Sequence, residues 1–150
     1  MSNRDQFTVY FREVQPKFSR LFTIILSKIG LTLPQYALLT QLAVDGTLPM
    51  TQVSRRLHIS KPAVTNLVDR LEKNKCLSRI PHPKDRRIYL LELQPKGEKI
   101  VRKVQSEVLN VLLQTLSQFS AKERMTINRF YASLSQTLGI VLSEPQRKKK

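Results

Sequence analysis

Between Met50 and Asp69 the apolar residues fall where two short helices are forced to cross. Val53 and Leu57 share one helix face, Val64 and Leu67 share another, and only His58-Ile59 separates the two segments. Ile59 plugs the junction, and Ser54 supplies the small side chain needed where the helices touch. The turn itself calls for a left-handed backbone, which glycine adopts most readily. His58 occupies that position, and histidine visits the left-handed region more often than most side chains. This is the skeleton of a helix-turn-helix, and an ordinary helical hairpin is the competing reading.

The second of the two helices is expected over Ser60–Asn74, with Ser60 as its N-cap and Pro62 in the first turn, where a missing N–H costs nothing. Burying Val64, Leu67, Val68 and Leu71 turns Lys61, Pro62, Thr65, Asn66, Asp69, Arg70 and Lys73 outward. Lys61, Thr65 and Asn66 lie on the first turns, and their donors and acceptors suit base edges in a major groove. Arg70 and Lys73 lie farther along and suit phosphates. A plain solvated helix face is the alternative for each of these side chains.

Two short strands are expected next, Leu77–Ile80 and Ile88–Leu93, joined by Pro81-His82-Pro83-Lys84-Asp85-Arg86-Arg87. They form a hairpin with a basic tip. Charge follows the same region, since residues 51–103 carry fourteen basic side chains against five acidic, a net +9 within a whole-chain charge of +15. Such a balance points to a polyanionic partner.

Helices are expected on either side. An amphipathic segment from Phe7 to Ile29 is expected to kink or split near Val14–Pro16, because proline removes a hydrogen bond and crowds the preceding turn. Thr32 and Gln35 have capping-box spacing before a short helix Gln35–Val44, which stops at Asp45-Gly46. Pro95 can open a long helix to about Phe119, and its stretch Val108–Leu113 is apolar on more than one side. Ser120-Ala121-Lys122-Glu123 is a second capping box, opening a helix with Ile127, Phe130, Tyr131, Leu134 and Leu138 on one face.

Several classes are set aside. No apolar run is long enough to span a bilayer, and the start lacks the charged-then-apolar order of a secretory signal. One cysteine cannot form an internal disulfide, so a reducing, cytoplasmic location is expected. With four glycines and no phosphate-binding loop, no nucleotide cofactor is expected, and His58 and His82 lack partners at metal-ligand spacing. No nucleophile–base pair or carboxylate dyad suggests an enzyme.

From Leu33-Pro34-Gln35-Tyr36-Ala37-Leu38-Leu39 through the hairpin the chain resembles the MarR (multiple antibiotic resistance regulator) family of bacterial transcription factors. The resemblance rests on Ile59-Ser60-Lys61-Pro62-Ala63-Val64-Thr65, on Leu67-Val68-Asp69-Arg70-Leu71-Glu72, and on Asp85-Arg86-Arg87 followed by Leu93 and Gly97. Three departures stand out. His58 replaces the usual turn glycine, Asn74-Lys75-Cys76 replaces a Lys/Glu-Gly pair, and Gln94-Pro95 replaces a threonine cap.

The resemblance implies a mainly α fold with a small β-hairpin wing: a winged helix-turn-helix over 31–94 and dimerisation helices over 1–30 and 95–143; composition alone predicts a disordered basic tail over 144–150. It implies a homodimeric regulator, most often a repressor, on an inverted-repeat site in double-stranded DNA. Asp85 would orient Arg87 into the minor groove, while Lys84 and Arg86 would meet phosphates. The dimer would bury Phe7, Phe11, Leu109, Leu113, Leu134, Leu138, Val141 and Leu142. Release by a small aromatic or phenolic anion would place Arg20 and Tyr36 near a ligand cleft. Cys76 is expected to be structural, because the peroxide-sensing branch of the family carries its reactive cysteine near the N-terminus. An architectural or RNA-binding protein using the same basic surface is the alternative function.

Overall fold

The computed structural model describes residues 2–143, and the basic tail expected over 144–150 lies outside them. Nine elements follow in order: α1 (Asn3–Ser27), α2 (Leu33–Asp45), β1 (Leu48–Pro49), α3 (Met50–Leu57), α4 (Lys61–Lys73), β2 (Leu77–Pro81), β3 (Tyr89–Leu93), α5 (Pro95–Leu116) and α6 (Ala121–Ser143). They divide into two compact units that meet in sequence between Val108 and Leu109, within α5.

The first unit holds one core. Leu38, Leu39 and Leu42 of α2, Val53 of α3, Val64, Leu67, Val68 and Leu71 of α4, Leu77 and Leu91 of the sheet, and Val101 and Val104 of α5 are all buried. Ile25 and Leu26 at the end of α1 join the same cluster, so the packing unit that contains residues 31–94 extends beyond them on both sides. The apolar face expected of α4 is thus buried in full, and burial of each such side chain contributes about 1.5–3 kcal/mol.

The sheet has three antiparallel strands in the order β1-β3-β2, with Arg79 opposite Leu91 and Leu48 also opposite Leu91. Strand β1 was not expected from the sequence. Two residues, one of them proline, show no alternation, and it is tertiary pairing to β3 that makes them a strand. Strand β3 begins at Tyr89 rather than Ile88, whose N–H donates to the Asp85 carbonyl inside the hairpin turn.

Helix α1 corrects a second expectation. It runs from Asn3 through Pro16 without a break. Its start is fixed by a capping box in which the Asp5 N–H donates to Ser2 Oγ and the Ser2 N–H donates to Asp5 Oδ2. Pro16 and Arg12, whose carbonyl loses its helical donor to the proline, are both exposed residues.

The second unit comprises the end of α5 and α6, joined by a turn in which Ser120 caps α6. The Ser120 N–H and hydroxyl both donate to Glu123 Oε2, and those bonds hold the Glu123 carboxyl below the usual carboxylate range. No residue of α6 is buried.

Candidate nucleic-acid interface

The turn between α3 and α4 is three residues long, His58-Ile59-Ser60. His58 takes the left-handed conformation, at φ 53° and ψ 40°, and its N–H caps α3 by donating to the Ser54 carbonyl. The Ser54 hydroxyl donates to the Ile59 carbonyl at 2.7 Å, so the small residue between the helices also satisfies the turn's backbone. Ser60 then caps α4, accepting the Ala63 N–H. At the far end Lys75 is left-handed too, at φ 57°, in the region where the family's glycine falls.

This construction leaves Lys61, Pro62, Thr65, Asn66, Arg70 and Lys73 exposed on α4. Two grooves flank them. One, of about 240 Å³, is lined by Met50, Thr51 and Ser54 of α3, Lys61, Val64 and Thr65 of α4, and Arg87, Ile88 and Tyr89 of the wing. The other, of about 300 Å³, sets Asn66 and Arg70 beside Thr32, Pro34 and Gln35 at the start of α2, where the Thr32 N–H donates to Gln35 Oε1 at 2.8 Å. The structure therefore brings Lys61, Thr65 and Arg87 into one groove and Asn66 and Arg70 into another. Thr51, and Thr32, which the sequence marked only as a helix cap, line them as well.

The wing tip is shaped by backbone hydrogen bonds. Asp85 Oδ1 accepts the Arg87 N–H at 3.0 Å, the His82 N–H donates to the Ile88 carbonyl at 2.9 Å, and the Lys84 N–H donates to His82 Nδ1 at 3.2 Å. Asp85 thus braces Arg87 through its main chain, an Asx turn. Lys84, Asp85, Arg86 and Arg87 are all exposed.

Asp69 faces outward as the spacing predicts, and it also has a partner that the sequence did not single out. Its carboxylate pairs with Arg79 of β2, which also pairs with Glu72 and donates its own backbone N–H to Glu72 Oε1 at 3.0 Å. Burial works against the Arg79 charge, but the two carboxylates outweigh it and hold its pKa above the ordinary value. Aspartate and glutamate three residues apart on one helix face, followed by an arginine in the next strand, were the available signal.

Other singled-out residues lie elsewhere. Tyr36 is buried with its ring 6.0 Å from that of Phe22, whereas Arg20 is exposed on α1, and neither lines the grooves described above. Cys76 is buried in the connection between α4 and β2, and burial raises its thiol pKa although Lys96 acts in the opposite direction. Among the described residues no helix is long and apolar enough to cross a membrane.

Comparison with known proteins agrees with this construction. The MarR family model matches residues 31–89, from the start of α2 through the wing. The HTH-type transcriptional repressor MdtR of Bacillus subtilis is 27% identical over 126 residues, covering 84% of this chain and 79% of that protein. The multiple antibiotic resistance protein MarR of Salmonella typhimurium is 30% identical over 87 residues, covering 58% of this chain and 60% of that protein. The crystal structure of the transcriptional regulator Tm0710 from Thermotoga maritima superposes with a TM-score of 0.77 at 27% identity, covering 94% of this chain and 99% of that one. Crossed helices, basic hairpin and these likenesses converge: residues 31–89 match the MarR family model, and the chain is similar over most of its length to winged-helix transcriptional regulators, DNA-binding proteins rather than enzymes.

Proposed function

We propose that this regulator acts as a homodimeric repressor on an inverted-repeat operator and leaves it when a small aromatic or phenolic anion binds. The observation that carries the reading is the groove in which Lys61 and Thr65 of α4 stand beside Arg87 of the wing, with Asn66 and Arg70 on the adjoining side of the same helix. In this reading Lys61, Pro62, Thr65 and Asn66 meet base edges, and Arg70, Lys73, Lys84 and Arg86 meet phosphates. Arg87, held out by the Asp85 turn, enters the flanking minor groove, where the negative potential is greatest.

The dimer is supported by exposure. Phe7 and Phe11 of α1, Leu109 and Leu113 of α5, and Leu134, Leu138, Val141 and Leu142 of α6 are all exposed in the single chain, Leu142 at 82%. Apolar surface of that extent invites a partner, and a two-fold dimer would give an inverted-repeat preference directly. Repression follows the relative MdtR, which is named a repressor. Release by a ligand rests on the family resemblance, with the exposed Arg20 as the cation named for it.

Selection of bound sequences from random duplex DNA tests the core of the reading. A recovered inverted repeat bound at least about a thousandfold more tightly than random duplex supports it. Equal binding to all duplexes, or preferential binding to RNA, favours the architectural or RNA-binding alternative.

A further inference from the structure

The charge clamp between α4 and β2 does more than stabilise a helix end. Asp69 and Glu72 lie one turn apart on the side of α4 that faces the sheet, and the Arg79 guanidinium spans both while its backbone N–H holds Glu72 a second time. The Arg79 side chain is 20% exposed, against 55% for Asp69 and 38% for Glu72, so the arginine is the inward partner of the three. Arg79 is also a mid-strand residue, in register with Leu91 of β3, and the same strand leads into the wing tip. One side chain therefore ties the helix bearing Thr65 and Asn66 to the hairpin bearing Arg87.

We infer that Arg79 is a positioning residue for DNA reading, fixing the angle and spacing between α4 and the wing so that both engage one half-site together. The inference rests on the assignment of α4 and the wing as the DNA-reading elements. A fork-shaped guanidinium is suited to this task. Lysine would carry the same charge, but its single ammonium cannot hold two carboxylates in fixed geometry. Loss of the clamp lets helix and hairpin move relative to each other, which harms a sequence whose major and minor grooves must be met at once. Random duplex, bound through phosphates alone, is far less sensitive.

The test uses two variants that leave net charge unchanged, Arg79→Lys and the double variant Arg79→Met with Glu72→Gln. Each is compared with the parent on the selected operator and on random duplex at one salt concentration, with thermal unfolding measured alongside. The expected result is a loss of about tenfold or more in the operator-to-random ratio for both variants, with random binding changed less than about threefold. A folded variant that keeps the parent ratio overturns the inference, whatever its melting temperature, because a purely structural clamp would lower stability and leave discrimination intact. If one variant fails to fold, the other decides. A parent without any sequence preference instead overturns the proposed function, and the role of Arg79 with it.

Discussion

At the residue scale the exposed side chains of α4 differ in the information they can carry. Asn66 can pair with a base edge through two groups, whereas Arg70 is a strong phosphate partner. Asn66→Ala is therefore expected to relax sequence preference, at about 1–3 kcal/mol on the preferred base, while Arg70→Ala weakens operator and random duplex alike. Competition against single-base operator variants separates the two, and a uniform loss for Asn66→Ala would refute the base contact. Gly97 makes a different demand. A Cβ there would lie 2.1 Å from the Cys76 carbonyl oxygen and 2.8 Å from Leu93 Cδ1, and the nearer atom is backbone that cannot step aside. Gly97→Ala is expected to cost roughly 2–4 kcal/mol in urea unfolding, as overpacked core positions do. The need for glycine at position 97 was visible in the sequence only as a family match. The carbonyl that imposes it lies twenty-one positions earlier, and no local pattern encodes such an approach.

At the element scale, helices with a clear apolar period were legible and elements held by distant partners were not. The buried face of α4 followed from spacing alone, and the two capping boxes at Thr32 and Ser120 marked helix starts. The proline in α1 misled as to a split, because it costs one hydrogen bond and a clash with the preceding turn, and the long helix runs on through it. The turn at His58 was legible as left-handed, and it yields a prediction. His58→Gly relieves about 1–2 kcal/mol of left-handed strain and adds freedom to the unfolded chain, for a net gain of roughly 0.5–1 kcal/mol in urea unfolding. A less stable glycine variant would show that the imidazole makes a contact worth more than the strain. The wing behaves as a lever on the same scale. Arg87→Ala is expected to lose most affinity on operators with A·T-rich flanks and to lower the salt slope of binding by about one. Asp85→Ala should give a milder form of that defect, since it frees the turn yet keeps the guanidinium. Equal losses of Arg87→Ala on A·T-rich and G·C-rich flanks would reduce Arg87 to an ordinary phosphate contact.

At the scale of the whole molecule the open question is what meets the exposed apolar faces. In α6, Phe130, Tyr131, Leu134, Leu138, Val141 and Leu142 are all at least 38% exposed, and near the N-terminus Phe7 and Phe11 are 56% and 57% exposed. A single soluble domain rarely tolerates that much exposed apolar surface, whereas a permanent dimer of the usual size buries it in full. Folding and association should then be coupled, so the melting temperature rises with protein concentration as mass action requires. Leu138→Arg places a charge on the exposed apolar face of α6, where burying it without a partner costs more than ordinary packing recovers. The variant is expected to sediment as monomer or aggregate, to lose the concentration dependence of its melting, and to bind an inverted repeat no better than a single half-site. A variant that stays dimeric by sedimentation, with the parent's preference for the full repeat, would place the interface away from α6 and return those leucines to the solvent face.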